Sequence, residues 1–251
     1  MTWFEALIIL VAGMGAGTIN AVVGSGTLLT FPALLAVGIP PVLANVSNTV
    51  GLSPGTAAGA LGYRRELAGQ RGRMLRLVPA SLLGGIVGGV LLLKLPSSAF
   101  HAVIPVLILV GCALVVLQPW LSKRIVAPAH HYRGHWWVMP AVFLTGVYGG
   151  YFGAAQGVLL MAILGLGLDS NLQRMNGLKN VLATVVNSVA AILFIIATDV
   201  NWLAAGLIAV GSTIGGFLGA RYGRRLPPIA LRGLIVLIGL IAVVTMVFPV
   251  H

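Results

Sequence analysis

The chain is a nearly continuous succession of apolar, charge-poor runs, separated by short stretches that hold almost all of its charge. Proline, glycine and charge delimit runs over residues 4–23, 42–63, 75–94, 98–118, 137–154, 176–198, 201–220 and 230–248. A helix rising 1.5 Å per residue needs roughly 20 apolar residues to cross a hydrocarbon core about 30 Å thick. Stretches such as Leu231–Phe248 are apolar on every face and lack the two-residue alternation of a membrane β-strand, so helices are the spanning structure. Only 8% of the residues are charged, against about 25% in a soluble domain. That excludes a water-soluble fold and predicts an all-α polytopic membrane protein. The N-terminus has no basic n-region of a cleavable signal and reads as a retained first helix.

Two apolar pieces, 27–38 and 158–168, are too short to cross. At 1.5 Å per residue each covers about half the core, so they are expected as broken or re-entrant half-helices. Gly24-Ser25-Gly26 and Ala155-Gln156-Gly157 precede them, and Pro40-Pro41 and Asp169-Ser170-Asn171 follow. Each piece is thus interrupted at both ends.

A gap-free internal repeat runs through the chain: adding 131 to a position in the first half repeatedly gives the same residue in the second. It pairs Gly15 with Gly146, Gly26 with Gly157, Leu28-Leu29 with Leu159-Leu160, Asn45 with Asn176, Ser81 with Ser212, Gly84-Gly85 with Gly215-Gly216, Gly88 with Gly219, and Leu95-Pro96 with Leu226-Pro227. The aligned Asn, Ser, Gly-Gly and Leu-Pro pairs are hard to obtain by chance in an apolar chain. Residues 1–125 and 126–251 are therefore expected to form two five-segment repeats. An odd number of passes places the second upside down relative to the first, an inverted repeat of the kind secondary transporters use.

Loop charge checks this topology. Arg64, Arg65, Arg71, Arg73 and Arg76, then Lys123, Arg124 and Arg133, then Arg221, Arg224, Arg225 and Arg232 hold twelve of the fifteen basic residues. With these loops cytoplasmic under the positive-inside rule, Arg174 joins them and both termini lie outside. The net charge of +11 is then explained by topology, and nucleic acid is not an expected partner. Membrane lipid and a small anion are, and a homodimer is compatible with the sequence. The Gly-rich stretches read as packing surfaces.

The densest polar clusters inside apolar sequence are Asn45-Val46-Ser47-Asn48-Thr49 and Asn176-Gly177-Leu178-Lys179-Asn180, each expected to open a full helix after a short piece. With Asn20, Gly24, Ser25, Gly26 and Thr27 at the first break and Gln156 and Gly157 at the second, they supply hydroxyls, carboxamides and bare N–H groups at helix starts, whose positive dipole ends favour anions. The candidate substrate-binding residues are therefore Asn20, Gly24, Ser25, Gly26, Thr27, Asn45, Ser47, Asn48, Thr49, Gln156, Gly157, Asn176, Lys179 and Asn180. Each Asn or Ser has an alternative as a cap or interhelical hydrogen bond. Lys179 stands alone as a cation within a membrane segment, a functional group by default, with snorkelling to the cytoplasmic face as its alternative. Tyr148 and Tyr151 are further lining candidates.

The acidic residues are Glu5, Glu66, Asp169 and Asp199, all near segment ends. No acidic relay crosses the membrane, which disfavours cation cargo and hydrolytic or metal-dependent chemistry. The chain is not expected to be an enzyme or to hold a cofactor or metal. His130, His131 and His135 read as an interfacial loop with aromatic anchors. Cys112 reads as a small packing residue.

The segment GMGAGTINAVVGSGTLLTFPALLAVGIPPVLANVSNTV resembles the first-repeat signature of the TauE/SafE family of bacterial membrane permeases, and GVYGGYFGAAQGVLLMAILGLGL with MNGLKNV resembles its partner. Where that pattern has a Thr-Asn-Lys-like run, the first repeat has Ser47-Asn48-Thr49, and Ser25 interrupts its glycine break. The resemblance implies transport of sulfite, a sulfonate such as sulfoacetate, or a related anion across a bacterial inner membrane. An inside-negative potential favours anion export by about 2.3 kcal/mol per charge per 100 mV. The rival is a non-transporting assembly or structural subunit, in which the same polar groups serve packing alone.

Overall fold

The computed structural model describes residues 1–125, 136–168, 171–223 and 228–247. The histidine loop at 130–135, Arg133, Asp169, Arg224 and Arg225 lie outside the described residues. The described residues form ten helices: α1 Trp3–Val22, α2 Thr27–Ala36, α3 Pro41–Gly62, α4 Arg71–Lys94, α5 Ser97–Ile125, α6 Val138–Tyr151, α7 Gln156–Gly167, α8 Leu172–Ala197, α9 Trp202–Tyr222 and α10 Pro228–Val247. No strand occurs among the described residues. By length and composition α1, α4, α5, α8 and α9 suffice to cross a membrane. α3 is 22 residues long but is diluted by its polar cluster. The two short helices, 10 and 12 residues long, fall where the sequence places half-length pieces.

The surface confirms the solvent. Val11, Val106, Val116, Val210, Leu237 and Val244 face outward, while Asn45, Ser47, Asn48, Asn180 and Lys179 are buried. Apolar residues outside and polar residues inside invert the order of a water-soluble protein.

α3 and α8 begin one helical turn before the polar clusters that were expected to open them. Pro41 takes the first helical position, where its missing N–H costs nothing. Asn171 caps α8, its Oδ1 accepting from the N–H groups of Gln173 and Arg174 at 3.1 Å each. The clusters consequently lie inside their helices, facing the core.

The breaks are set locally. After α1, Gly24 adopts φ +90° and donates its N–H to Ile19 at 3.0 Å, a left-handed helix stop for which glycine is suited. After α6, Gly153 at φ +77° donates to Tyr148 at 3.1 Å. Ala155, the counterpart of Gly24 in the repeat, also takes a left-handed conformation, with φ 58°.

The packing follows the same offset. The first residues of α3, α4 and α5 (Pro41, Arg71 and Ser97) are the repeat counterparts of the first residues of α8, α9 and α10 (Leu172, Trp202 and Pro228). α1 packs on α9 and α6 on α4, α3 on α9 and α8 on α4, α2 on α10 and α7 on α5, while α3 meets α8. The glycine stripes make these crossings close: a methyl group on Gly84 would come within 2.9 Å of the Gly146 Cα, and one on Gly215 within 3.0 Å of the Thr18 N. That is backbone-to-backbone packing, as small residues permit in lipid.

Candidate functional site

The breaks meet. The N–H of Gly157, second residue of α7, donates to the carbonyl of Gly24 in the α1–α2 break at 2.9 Å. Beside this crossing lies a polar cavity lined by Asn20, Gly24 and Thr27, by Gly153, Gln156 and Gly157, by Thr56 of α3, and by Lys179, Asn180, Ala183 and Asn187 of α8. Its volume of 10 Å³ holds about one water molecule.

Lys179 is fully buried and does not snorkel. Its Nζ donates to the carbonyls of Asn20 at 2.9 Å and Ala21 at 3.2 Å, and Asn180 Nδ2 also donates to Ala21, at 3.3 Å. These carbonyls end α1, so the ammonium neutralises the negative end of that helix, worth about half an elementary charge. An ammonium has three donors, and the third finds no acceptor among the described residues. None of the described lining residues is acidic.

Several donors in the cavity remain unspent. Asn20 Oδ1 accepts the Gly26 N–H at 2.8 Å, which turns its Nδ2 to the other side. The Thr27 hydroxyl accepts from Asn48 Nδ2 at 3.4 Å and keeps its own hydrogen. Gln156 Nε2 is buried with no hydrogen-bond partner among the described residues. Thr27 begins α2, and Gln156 and Gly157 begin α7, so two positive dipole ends abut the same space.

Seven expected residues therefore converge: Asn20, Gly24, Thr27, Gln156, Gly157, Lys179 and Asn180. The others sit around them. Asn48 Oδ1 accepts from the Thr30 hydroxyl, fixing α2 on α3. Asn45 Nδ2 donates to the Tyr151 carbonyl at 2.9 Å. Ser47 Oγ accepts the Asn201 N–H at 2.9 Å, and Thr49 donates to Asn45 within α3 at 2.9 Å. Gly26 supports Asn20, while Ser25 Oγ and Asn176 Oδ1 are buried without partners among the described residues. Tyr148 and Tyr151 do not line the cavity: the Tyr148 hydroxyl donates to the Ala154 carbonyl, and the Tyr151 ring packs edge-on against Phe100 at 5.7 Å.

The clamped carbonyls obey the offset, though their donors do not. Asn20 and Tyr151, counterparts in the repeat, lie in the last turns of α1 and α6, and their carbonyls are held by Lys179 of α8 and Asn45 of α3 respectively. Each half thereby fastens the broken helix of the other.

Thr56 and Asn187 escaped the sequence reading. They too are counterparts in the repeat, and both line the cavity. A signal existed, since Asn187 lies two turns after Lys179 along the same face of α8. Among the described residues no group of three His, Cys, Asp or Glu gathers to hold a metal.

Residues 9–246 match the model of the family described as "Sulfite exporter TauE/SafE". The chain belongs to the TauE/SafE family. Similar members include "Probable membrane transporter protein YfcA" of Escherichia coli strain K12, 27% identical over 85% of this chain and 77% of the relative. A "Probable membrane transporter protein" of Haemophilus influenzae is 25% identical over 96% of this chain and 94% of its own length. A Sinorhizobium relative, "Probable membrane transporter protein ORF9", is 26% identical over 96% and 92%. No solved structure matches the chain. This TauE/SafE protein is thus a multi-pass membrane transporter.

Proposed function

We propose that the protein is a permease for a small sulfur-containing anion, sulfite or an organosulfonate such as sulfoacetate, in the bacterial inner membrane. The observation that carries this reading is the cavity at the Gly24–Gly157 crossing. It sets one fully buried cation, Lys179, and an unpartnered amide donor, Gln156, beside two helix starts, with no acidic group among its described lining residues. An oxyanion satisfies all of these donors at once.

The two five-helix halves are then inverted repeats, and the crossing of their breaks lies near the bilayer midplane. The cavity has room for about one water molecule, so a ligand enters when one half rocks against the other. Net flux is export, because an inside-negative potential drives an anion outward. Donors from Lys179, Gln156, Asn20, Asn180 and Thr27 hold the anion, and Gly24 and Gly157, without side chains, keep the two breaks close beside it. Asn45, Ser47, Asn48, Thr49, Ser25, Gly26 and Asn176 support that arrangement.

The test is reconstitution of the purified chain in liposomes, with uptake of labelled sulfite, sulfoacetate, taurine and sulfate under an imposed potential. Saturable, potential-sensitive flux of a sulfur oxyanion supports the proposal. Absence of flux for every anion would replace it with a non-transporting membrane subunit.

A further inference from the structure

The side chains that line the cavity differ in chemistry along α8. Lys179, Asn180, Ala183 and Asn187 all line it from one face of α8. Two turns of helix separate the first from the last, about 12 Å along the axis. One end holds the ammonium, the Asn180 carboxamide and the start of α7. Ala183 lies between, with a side chain too small to bridge the ends. The far end holds Asn187 and Thr56, which are neutral.

Asn187 has no structural employment to explain it. It is half-buried within a membrane-spanning helix, and its carboxamide has no hydrogen-bond partner among the described residues. The next residue, Ser188, packs by contrast, its Oγ 3.0 Å from the Ser53 Oγ across the α3–α8 contact. Thr56 donates its hydroxyl to the Ser53 carbonyl at 2.8 Å, leaving its oxygen lone pairs for an incoming donor. Both ends of a carboxamide and one hydroxyl oxygen are thus offered where no fixed charge stands.

We infer that Asn187 and Thr56 read the end of the anion remote from its charge, so that the site, once opened, selects an oxyanion carrying a short, neutral, hydrogen-bonding tail. This rests on the anion reading and narrows it to organosulfonates with a neutral tail, away from sulfite and sulfoacetate. A bare oxyanion leaves Asn187 unused. A second negative charge on the tail meets no cation there, and a purely apolar tail leaves the carboxamide unpaired.

The experiment compares three sulfonates in liposomes holding the full chain: methanesulfonate, 2-hydroxyethanesulfonate and sulfoacetate. The wild type is expected to favour 2-hydroxyethanesulfonate in transport efficiency. Asn187→Leu should lower its ratio to methanesulfonate by about tenfold, the scale of one hydrogen bond. Asn187→Asp, nearly isosteric, should depress sulfoacetate against 2-hydroxyethanesulfonate by a further factor of about ten. Ser188→Ala should keep the wild-type ratios. Flux of sulfonates with ratios that no Asn187 substitution moves overturns this inference while leaving the permease standing. No flux of any anion by the wild type overturns both.

Discussion

The amide of Gly157 donates to the carbonyl of Gly24 at 2.9 Å, joining two helix breaks that lie in opposite halves of the chain. The approach is possible because neither residue has a side chain. A Cβ on Gly24 would lie 2.8 Å from the Gly157 carbonyl carbon, and one on Gly157 2.9 Å from the Gly24 carbonyl oxygen. Gly24 also holds φ +90°.

Gly24→Ala should accordingly combine an overpacking cost of about 1–3 kcal/mol with a left-handed penalty of about 1–2 kcal/mol. Gly157→Ala should carry the first alone. In detergent the melting temperature should fall for both, further for Gly24→Ala, while Gly206→Ala, with nothing within 4 Å of the added carbon, should not lower it. Equal melting temperatures across the three variants would show that the crossing is loose.

Lys179→Met separates charge from architecture. The substitution leaves the Asn20 carbonyl without its donor, a loss of about 1.5–3 kcal/mol for a charged hydrogen bond. It also relieves the desolvation of a cation buried without a carboxylate, a term of several kcal/mol in the opposite direction. Stability should therefore change little, while anion flux falls by at least about tenfold. Unfolding of the variant would assign Lys179 to the structure of the α1 end instead. Wild-type flux in a folded variant would remove it from the site.

The helical class and the half-length pieces were legible because they rest on hydropathy and on glycine and proline, whose effects are local. The convergence of Gly24, Gln156 and Lys179 was legible in outline because the repeat tied the breaks together. What escaped depends on tertiary direction. Nothing in the sequence distinguishes Asn48, whose carboxamide binds Thr30 and Thr27, from Asn180, which lines the cavity. The left-handed Ala155 was equally hidden, since that conformation is ordinarily signalled by glycine. The early starts of α3 and α8 were readable from Pro41 and Asn171, but the polar clusters drew the boundary instead.

Gln156 and Asn48 should respond in opposite ways. Gln156 Nε2 has no partner to lose among the described residues, so Gln156→Leu should leave the melting temperature near wild type and reduce anion flux. Asn48→Ala strips the Thr30 hydroxyl of its side-chain acceptor and Thr27 of a donor in a buried setting. Such losses are worth about 1–3 kcal/mol, or a fall of several degrees at about 2–4 °C per kcal/mol for a chain of this size. Thermal melts paired with flux on the same preparations decide the matter. A destabilised Gln156→Leu, or a fully stable Asn48→Ala without flux, would exchange their roles.

Ser81 and Ser212 occupy equivalent places in the two halves, on α4 and α9, and both are fully buried. Their surroundings differ. Ser212 Oγ donates to the Gly51 carbonyl at 3.0 Å, whereas Ser81 Oγ has no partner among the described residues. A buried hydroxyl without a partner costs about 1–3 kcal/mol on mutational scales, so Ser81→Ala should hold or raise the melting temperature. Ser212→Ala removes a hydrogen bond worth about 1 kcal/mol net and should lower it by about 2–4 °C. The same deletion at paired positions thus has opposite expected signs. Equal shifts would mean that the Ser81 hydroxyl contributes as much as that of Ser212 and therefore has an acceptor in the folded protein.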